Sequence, residues 1–385
     1  MFIDIHCEQQ RKFGQNATGD AFLSSRQPGG RLIAVLSDGL GSGIKANILA
    51  LMTSTMLLRF IEEDMPIKKA ATTIMNSLPV CQVRKISYAT FSAVDCDDEG
   101  NVKIVEEGNP DFIWLRGSTP MKAECQTIVS SSFPNRKMKV YRFKALLGDR
   151  LVFCSDGVTQ AGLGRPEYRL GLRRSGLQKF VCAAVEQSPE IASSTLASQI
   201  IAKALEAEGN GQAGDDISAC VLYFRKPRKS VVFTGGPYNQ NRDGEYALAF
   251  SQFDGRKAIC GGTTSNIISR ELKRPITTPI CFTGGDLPPL SYMEGVDLIT
   301  EGILTLTRTL EYLERGVLNC QDAAGQLVQF FMDSDVIEFM LGAKLNQAHY
   351  DPSLPIEMEL RKDVVHKIAS VLEKKYLKRV VIQHI

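Results

Sequence analysis

Four short acidic motifs lie between residues 19 and 216 of this chain, and each places an aspartate beside a glycine or a second aspartate. They are Gly19-Asp20, Ser37-Asp38-Gly39-Leu40-Gly41-Ser42-Gly43, Ser155-Asp156-Gly157 and Gly214-Asp215-Asp216. The middle two directly follow apolar runs that are typical of buried strands. A carboxylate at the rim of a core is costly unless a cation, a partner charge or hydrogen bonds compensate it. The four motifs therefore predict one metal site that folding assembles.

The residue types indicate which metal. Mg²⁺ and Mn²⁺ prefer carboxylate, carbonyl and water oxygens, and the chain has only 4 histidines, with no zinc-like spacing. Glycine beside each aspartate is expected to permit unusual backbone angles and to let a carbonyl approach the metal. A single Asp-Gly pair is usually a turn, so the metal prediction depends on the joint occurrence of the motifs.

The bulk composition is that of an ordinary globular protein with about two domains, since the chain has 385 residues, 44% of them hydrophobic and 23% charged. A net charge of +2 gives no reason to expect nucleic acid or an anionic membrane as a partner. No uninterrupted apolar stretch has the length of a membrane span, and Met1-Phe2-Ile3-Asp4 lacks the basic region of a signal peptide. We expect a cytoplasmic protein.

The 10 cysteines are scattered without a Cys-x-x-Cys pair. Several, including Cys154, Cys220 and Cys260, lie in strand-like apolar runs. Most are expected to be free buried thiols, which suits a reducing compartment.

A charged, proline-containing run, Arg225-Lys226-Pro227-Arg228-Lys229-Ser230, marks the expected domain boundary. It divides the chain into residues 1–227, where strand-like and helix-like segments alternate, and residues 228–385, where a second α/β pattern begins. The basic run itself has no aromatic residues and is interpreted as a solvated linker.

Residues 10–225 resemble the SpoIIE-like branch of the metal-dependent protein phosphatase 2C superfamily. Five motifs carry the resemblance, and they occur in the family's order. They are Gly19-Asp20-Ala21-Phe22, Asp38-Gly39-Leu40-Gly41-Ser42-Gly43-x-Lys45-Ala46, Gly108-Asn109-Pro110-Asp111-Phe112-Ile113 with Arg116, Ser155-Asp156-Gly157-Val158, and Gly214-Asp215-Asp216-Ile217-Ser218.

The resemblance implies a four-layer α-β-β-α sandwich of two antiparallel sheets with two Mn²⁺ or Mg²⁺ ions at one edge, followed by a smaller α/β domain. It implies that Asp38 bridges both metals and that the Gly39 carbonyl completes one coordination sphere. Asp156 and Asp215 would bind metal. Asp20 would hold metal directly or through water.

The implied reaction is hydrolysis of phosphoserine or phosphothreonine in a protein by a metal-activated water, and the substrate could be a phosphorylated anti-sigma-factor antagonist. Asp216 would be either a further ligand or a group behind the ligands. Leu40 stands where eukaryotic members have histidine, so the general acid is not assigned. A different class of function stays open, namely a non-catalytic scaffold that binds metal or partners while the second domain senses a ligand.

In the second domain three strand-like runs each lead into a glycine turn: Thr234-Gly235-Gly236-Pro237, Gly261-Gly262-Thr263-Thr264-Ser265-Asn266, and Thr283-Gly284-Gly285-Asp286. The second is the best candidate for a small anion or nucleotide, because exposed N–H groups at a helix start attract anions. Simple turn chemistry explains the same residues. The segment Leu298–Glu314 is predicted to be helical from its apolar spacing.

Overall fold

The computed structural model describes residues 1–66, 69–70, 73–74, 89–129, 137–209, 211–278, 288–342 and 354–385, with the backbone alone for 354–359. The glycine turn at 283–286 therefore lies outside the described residues. The chain forms two compact units, Met1–Lys226 and Pro227–Ile385. This division is one residue from the boundary expected from the charged linker.

The described part of the first unit contains eleven strands and four helices. The strands are β1 (Phe2–Gln10), β2 (Asp20–Arg26), β3 (Leu32–Gly39), β4 (Ala89–Cys96), β5 (Asn101–Glu107), β6 (Ile113–Arg116), β7 (Thr119–Met121), β8 (Cys125–Val129), β9 (Lys137–Lys144), β10 (Asp149–Cys154) and β11 (Ile217–Arg225). The helices are α1 (Ile44–Glu62), α2 (Asp156–Gln160), α3 (Arg173–Gln187) and α4 (Ser193–Glu208).

The strands form two antiparallel sheets, ordered β1-β11-β10-β6-β7 and β2-β3-β4-β5-β9-β8. Helix α1 packs on the six-stranded sheet, while α3 and α4 cover the five-stranded sheet. Between the sheets, the Trp114 ring of β6 stacks on Phe143 of β9 with 4.1 Å between ring centroids. Alternation of side chains along each strand buries both faces, and the expected four-layer α-β-β-α sandwich is confirmed.

Helix α1 is long and apolar enough, in length and composition, to cross a membrane. In this fold its Leu57 and Leu58 side chains pack against Ile33 and Val35 of β3. Core helices of soluble proteins have the same length and composition, so α1 does not decide whether the protein contacts a membrane. The absence of a membrane partner stays a prediction.

The interpretation of Cys220 as a free thiol is wrong, because its sulfur is bonded to that of Cys7. The two residues are 213 positions apart in sequence but lie directly opposite each other on β11 and β1. Strand register, which no local pattern reveals, brings them together. Cys154 and Cys260 are buried free thiols, as expected.

The second unit is built on parallel strands. Its described elements are β12 (Lys229–Thr234), α5 (Asp243–Gln252), β13 (Arg256–Cys260), α6 (Gly262–Leu272), β14 (Leu298–Thr300), α7 (Ile303–Arg315), α8 (Ala323–Met332), β15 (Val336–Leu341), α9 (Leu354–Lys374) and β16 (Arg379–His384). The sheet order is β14-β13-β12-β15-β16, with every neighbouring pair parallel. Helices α5 and α6 pack on one face, and α7, α8 and α9 pack on the other.

The predicted helix over Leu298–Glu314 is wrong at its start. Leu298–Thr300 is strand β14, and the helix begins at Ile303 after Gly302. Three apolar or β-branched residues fit a buried parallel strand as well as the first turn of a helix, and pairing with β13 decides for the strand.

Candidate metal centre

Two sheets bring the four motifs to one place in the first unit. Asp20 and Asp38 are direct cross-strand partners on β2 and β3 of the six-stranded sheet. In the other sheet, β10 pairs with β11. Asp156 follows β10 and begins α2, while Asp215 and Asp216 directly precede β11. Asp38 and Asp156 therefore lie where a strand ends, and Asp20, Asp215 and Asp216 lie where a strand begins.

Crowding and burial perturb three of these carboxyl groups. Burial, and then the charges of Asp20, Asp156 and Asp215, raise the pKa of Asp38 from 3.8 to about 9. The pKa of Asp20 rises from 3.8 to about 7, mainly through burial, although hydrogen bonds from Ser218 and Ser155 oppose the rise. The pKa of Asp156 is also raised, first by burial and then by the charge of Asp215. Without a cation, this group of carboxylates disfavours full ionisation.

Hydrogen bonds compensate only some of the carboxylate oxygens in this cluster. The Asp38 carboxyl donates to Asp156, and Ser218 Oγ donates to Asp20 Oδ2 at 2.6 Å. Asp20 Oδ1 is buried and has no partner within the described part of the chain. Asp20 itself is only 1% exposed. A buried carboxylate oxygen left over in this way fits a cation ligand.

Asp215 has a different environment. Its side chain is 49% exposed, and the ammonium of Lys12 lies 3.7 Å from its Oδ1. This lysine is a cation at the rim of the cluster. Arg11, its neighbour in sequence, is exposed.

Asp216 is already occupied by backbone donors. Its Oδ1 accepts from the Lys12 amide at 2.9 Å, and its Oδ2 accepts from the Gly19 amide at 2.8 Å. Both contacts fasten the segment between β1 and β2 that leads to Asp20. Of the two roles left open for Asp216, these bonds favour the one behind the ligands.

The glycines beside the aspartates act through close packing. A Cβ on Gly39 would lie 2.0 Å from the carbonyl oxygen of Ala46, and a Cβ on Gly157 would lie 2.1 Å from that of Asp216. Gly19, Gly39 and Gly157 do not have positive φ. The expectation of unusual backbone angles at these positions is therefore wrong. Gly39 and Gly157 supply room for another backbone segment, and Gly19 supplies room for the Asp216 carboxylate.

The cluster fits a divalent cation in residue type, burial and charge, with Asp20, Asp38, Asp156 and Asp215 as the oxygen donors. Within the described ranges, no three Asp, Glu, His or Cys side chains are already gathered as a complete ligand set. The same carboxylates are nevertheless close enough to raise one another's pKa.

A buried acid that is not among the predicted site residues, Glu106, lies next to the Gly108-Asn109-Pro110 turn. Glu106 is 1% exposed, and burial together with the charge of Asp111 raises its pKa to about 8. Its Oε1 accepts from the Phe112 amide at 3.2 Å and from Ser92 Oγ at 3.3 Å. Glu106 thus holds the turn after β5. Its position at the end of an apolar strand was the only signal in the sequence.

The candidate anion-binding residues of the second unit lie at the start of α6. Gly261 has φ 132° and precedes the helix, which begins at Gly262, and Thr263 is in its first turn. Thr264 is buried and hydrogen-bonded to Tyr246. These residues are not part of the acidic cluster.

Comparison with known proteins bears on the first unit. The profile of the family "Stage II sporulation protein E (SpoIIE)" matches residues 28–225. Stage II sporulation protein E of Bacillus subtilis (strain 168) is 24% identical over 165 residues, which are 42% of this chain and 20% of that protein. The match thus spans about a fifth of the relative's length.

Three solved structures are similar in part. The phosphatase domain of the cell fate determinant SpoIIE from Bacillus subtilis has a TM-score of 0.42 at 18% identity, covering 57% of this chain and 91% of that one. The RsbU and RsbW domains of a Mycobacterium tuberculosis protein have a TM-score of 0.46 at 20% identity, covering 58% and 62%. RsbX in complex with magnesium has a TM-score of 0.40 at 16% identity, covering 57% and 94%. Since the family profile covers about half of the 385 residues, this chain belongs to the SpoIIE family.

Proposed function

We propose that the first unit is a metal-dependent serine/threonine protein phosphatase that uses two Mg²⁺ or Mn²⁺ ions. The observation that carries the proposal is the cluster of Asp20, Asp38, Asp156 and Asp215. Two sheets gather these carboxylates where their charges oppose one another. Among the described residues, the basic side chain within ion-pair distance of this cluster is that of Lys12, which lies 3.7 Å from Asp215. Cations would relieve that repulsion.

In this proposal the four aspartates hold the ions, and the surrounding residues hold the aspartates. Bound divalent cations lower the pKa of coordinated water and offset the charge of a phosphate. Ser218 orients Asp20 through its hydroxyl. Asp216 keeps the segment before β2 in place through two backbone amides. Lys12, at the rim, is placed to attract the phosphate of an incoming phosphoprotein.

The substrate class follows from family membership. We propose a phosphorylated protein of a bacterial signalling pathway, of the kind represented by an anti-sigma-factor antagonist, and a cytoplasmic location.

The test is hydrolysis of a phosphoserine peptide and of p-nitrophenyl phosphate with Mn²⁺. Asp38→Asn and Asp156→Asn are expected to lower turnover by at least about a hundredfold, because each removes a charged ligand. Asp64→Asn is the matched control. Asp64 is 78% exposed and pairs with Arg31, which directly precedes β3 and so lies at the other end of this strand from Asp38. Its substitution should leave turnover unchanged.

Equal activity in the wild type and both cluster variants would refute the assignment. Mn²⁺ binding that depends on Asp38, without hydrolysis of either substrate, would favour the non-catalytic scaffold instead.

A further inference from the structure

The carboxyl edge of the parallel sheet in the second unit gathers polar groups that the phosphatase does not use. Strands β12, β13, β14 and β15 end at Thr234, Cys260, Thr300 and Leu341. In order of appearance, the five strands are arranged 3-2-1-4-5, so the order reverses between β12 and β15. In open parallel sheets, ligands bind beyond the carboxyl ends of the strands at such a reversal.

Glycine turns bring backbone groups together at this edge. A Cβ on Gly342 would lie 2.1 Å from the carbonyl oxygen of Gly236, and the Gly342 amide donates to Thr234 O at 3.0 Å. The Gly261 amide donates to Thr300 O at 3.0 Å, which places the starts of α6 and α7 side by side. Two helix N-termini therefore face the same edge, and each carries partial positive charge.

Four buried side-chain atoms at this edge have no hydrogen-bond partner among the residues that the structure describes. They are Thr234 Oγ1, Glu301 Oε2, Thr305 Oγ1 and Arg361 Nε. Thr234 and Thr305 are 0% exposed. Buried polar atoms in native proteins are almost always paired. A cluster of such atoms among the described residues offers donors and acceptors to a bound ligand.

The four groups converge from different elements. Val232 faces α7, α8 and α9, and strand alternation puts Thr234 on the same face. Thr305 is in the first turn of α7. Arg361 comes from α9, and its Nη1 lies 3.0 Å from where a Cβ of Gly235 would be. Arg361 and Glu301 are both near enough for their charges to act on Cys260, the last residue of β13.

We propose that this edge is a binding site for a small phosphorylated molecule that carries hydroxyl groups. Arg361 supplies a planar fork of donors that matches a phosphoryl group. The hydroxyls of Thr234 and Thr305 and the N-termini of α6 and α7 add donors to the same anion. Glu301 can only accept when ionised, so it selects a ligand with a hydroxyl donor beside the phosphate. The site is separate from the metal centre and does not depend on the proposed phosphatase activity.

The test uses the full chain in EDTA, so that phosphate cannot bind through a divalent cation. Calorimetric titration with ribose 5-phosphate is expected to show binding at least about tenfold tighter than inorganic phosphate, since only the sugar phosphate offers alcohol hydroxyls beside the phosphoryl group to Glu301. Arg361→Gln should lower the affinity for ribose 5-phosphate by at least about tenfold. Arg315→Gln is the matched control, because Arg315 is exposed at the far end of α7, and it should leave the affinity unchanged. Ribonate tests whether a carboxylate replaces the phosphoryl group.

Thr234→Val gives a second measurement that does not depend on Arg361→Gln folding. Valine keeps the shape and removes an unpaired buried hydroxyl, so the ligand-free variant should unfold at a higher temperature than the wild type while binding ribose 5-phosphate more weakly. The proposal is overturned if neither ribose 5-phosphate nor phosphate binds at millimolar concentration, if ribonate alone binds, or if binding is equal in the wild type, Arg361→Gln and Thr234→Val. Phosphopeptide hydrolysis with Mn²⁺ is measured separately, so failure of the phosphatase proposal can be distinguished from failure of the ligand-binding proposal.

Discussion

Neutralising Asp38 is expected to stabilise the metal-free protein while it abolishes stabilisation by metal. The pKa of Asp38 is raised from 3.8 to about 9. At pH 7 the unfolded chain therefore carries an ionised Asp38, whereas the metal-free folded state keeps the proton. About three pKa units separate pH 7 from 3.8, and each is equivalent to about 1.4 kcal/mol, so the folded state is disfavoured by at most roughly 4 kcal/mol.

The sign of the pH dependence follows from the raised pKa. Metal-free wild type should lose stability as the pH rises from about 4 to about 9, because folding requires a proton that the unfolded chain has released. Asparagine has no charge to lose, and its amide can replace the hydrogen bond to Asp156. Asp38→Asn should therefore match the wild type near pH 4 and exceed it by about 2–4 kcal/mol near pH 7.

Urea unfolding at pH 5 and pH 8, in EDTA and then with Mn²⁺, measures both effects. In EDTA at pH 8 the free energy of unfolding should be higher for Asp38→Asn than for the wild type. With Mn²⁺ the order should reverse, since binding to ionised carboxylates stabilises only the native wild type. Asp64→Asn should match the wild type throughout. The reasoning fails if metal-free Asp38→Asn is no more stable than the wild type at pH 8, or if Mn²⁺ stabilises it equally.

Three other substitutions test the supports of the site. Burial raises the pKa of Glu106 from 4.5 to about 8, so wild-type stability should also fall between these pH values, and Glu106→Gln should flatten that slope in denaturation series. Gly39→Ala places a Cβ 2.0 Å from Ala46 O and should lower the free energy of unfolding by at least about 3 kcal/mol; an unchanged melting temperature contradicts the packing role. Asp216→Asn replaces one of the two oxygens that accept from the Lys12 and Gly19 amides, so it should lower the free energy of unfolding by about 1–3 kcal/mol and raise the Mn²⁺ concentration needed for half-maximal activity.

Local pattern was sufficient for the acidic motifs and for the alternation of strands and helices, whereas the four-layer sandwich was predicted from the family resemblance. An apolar run followed by Asp-Gly predicts a strand that leaves a core, and the structure places Asp38 in the last two residues of β3 and Asp156 two residues after the end of β10. Pattern was insufficient at Leu298–Thr300, where three residues fit a strand or a helix and only the partner strand β13 decides. The roles given to the individual site residues stay predictions.

The sequence by itself determined the kinds of groups present: carboxylates beside glycine, glycine turns after strands, and a boundary at a basic linker. Tertiary structure decided which groups meet. Ser218 reaches Asp20 across 198 positions, Cys7 meets Cys220 through strand register, and the charges of Arg361 and Glu301 both act on Cys260 at the end of β13. Residue type and turn preference are local properties, whereas a pKa, a disulfide or an unpaired buried atom depends on distance and burial, which exist only once the chain has folded.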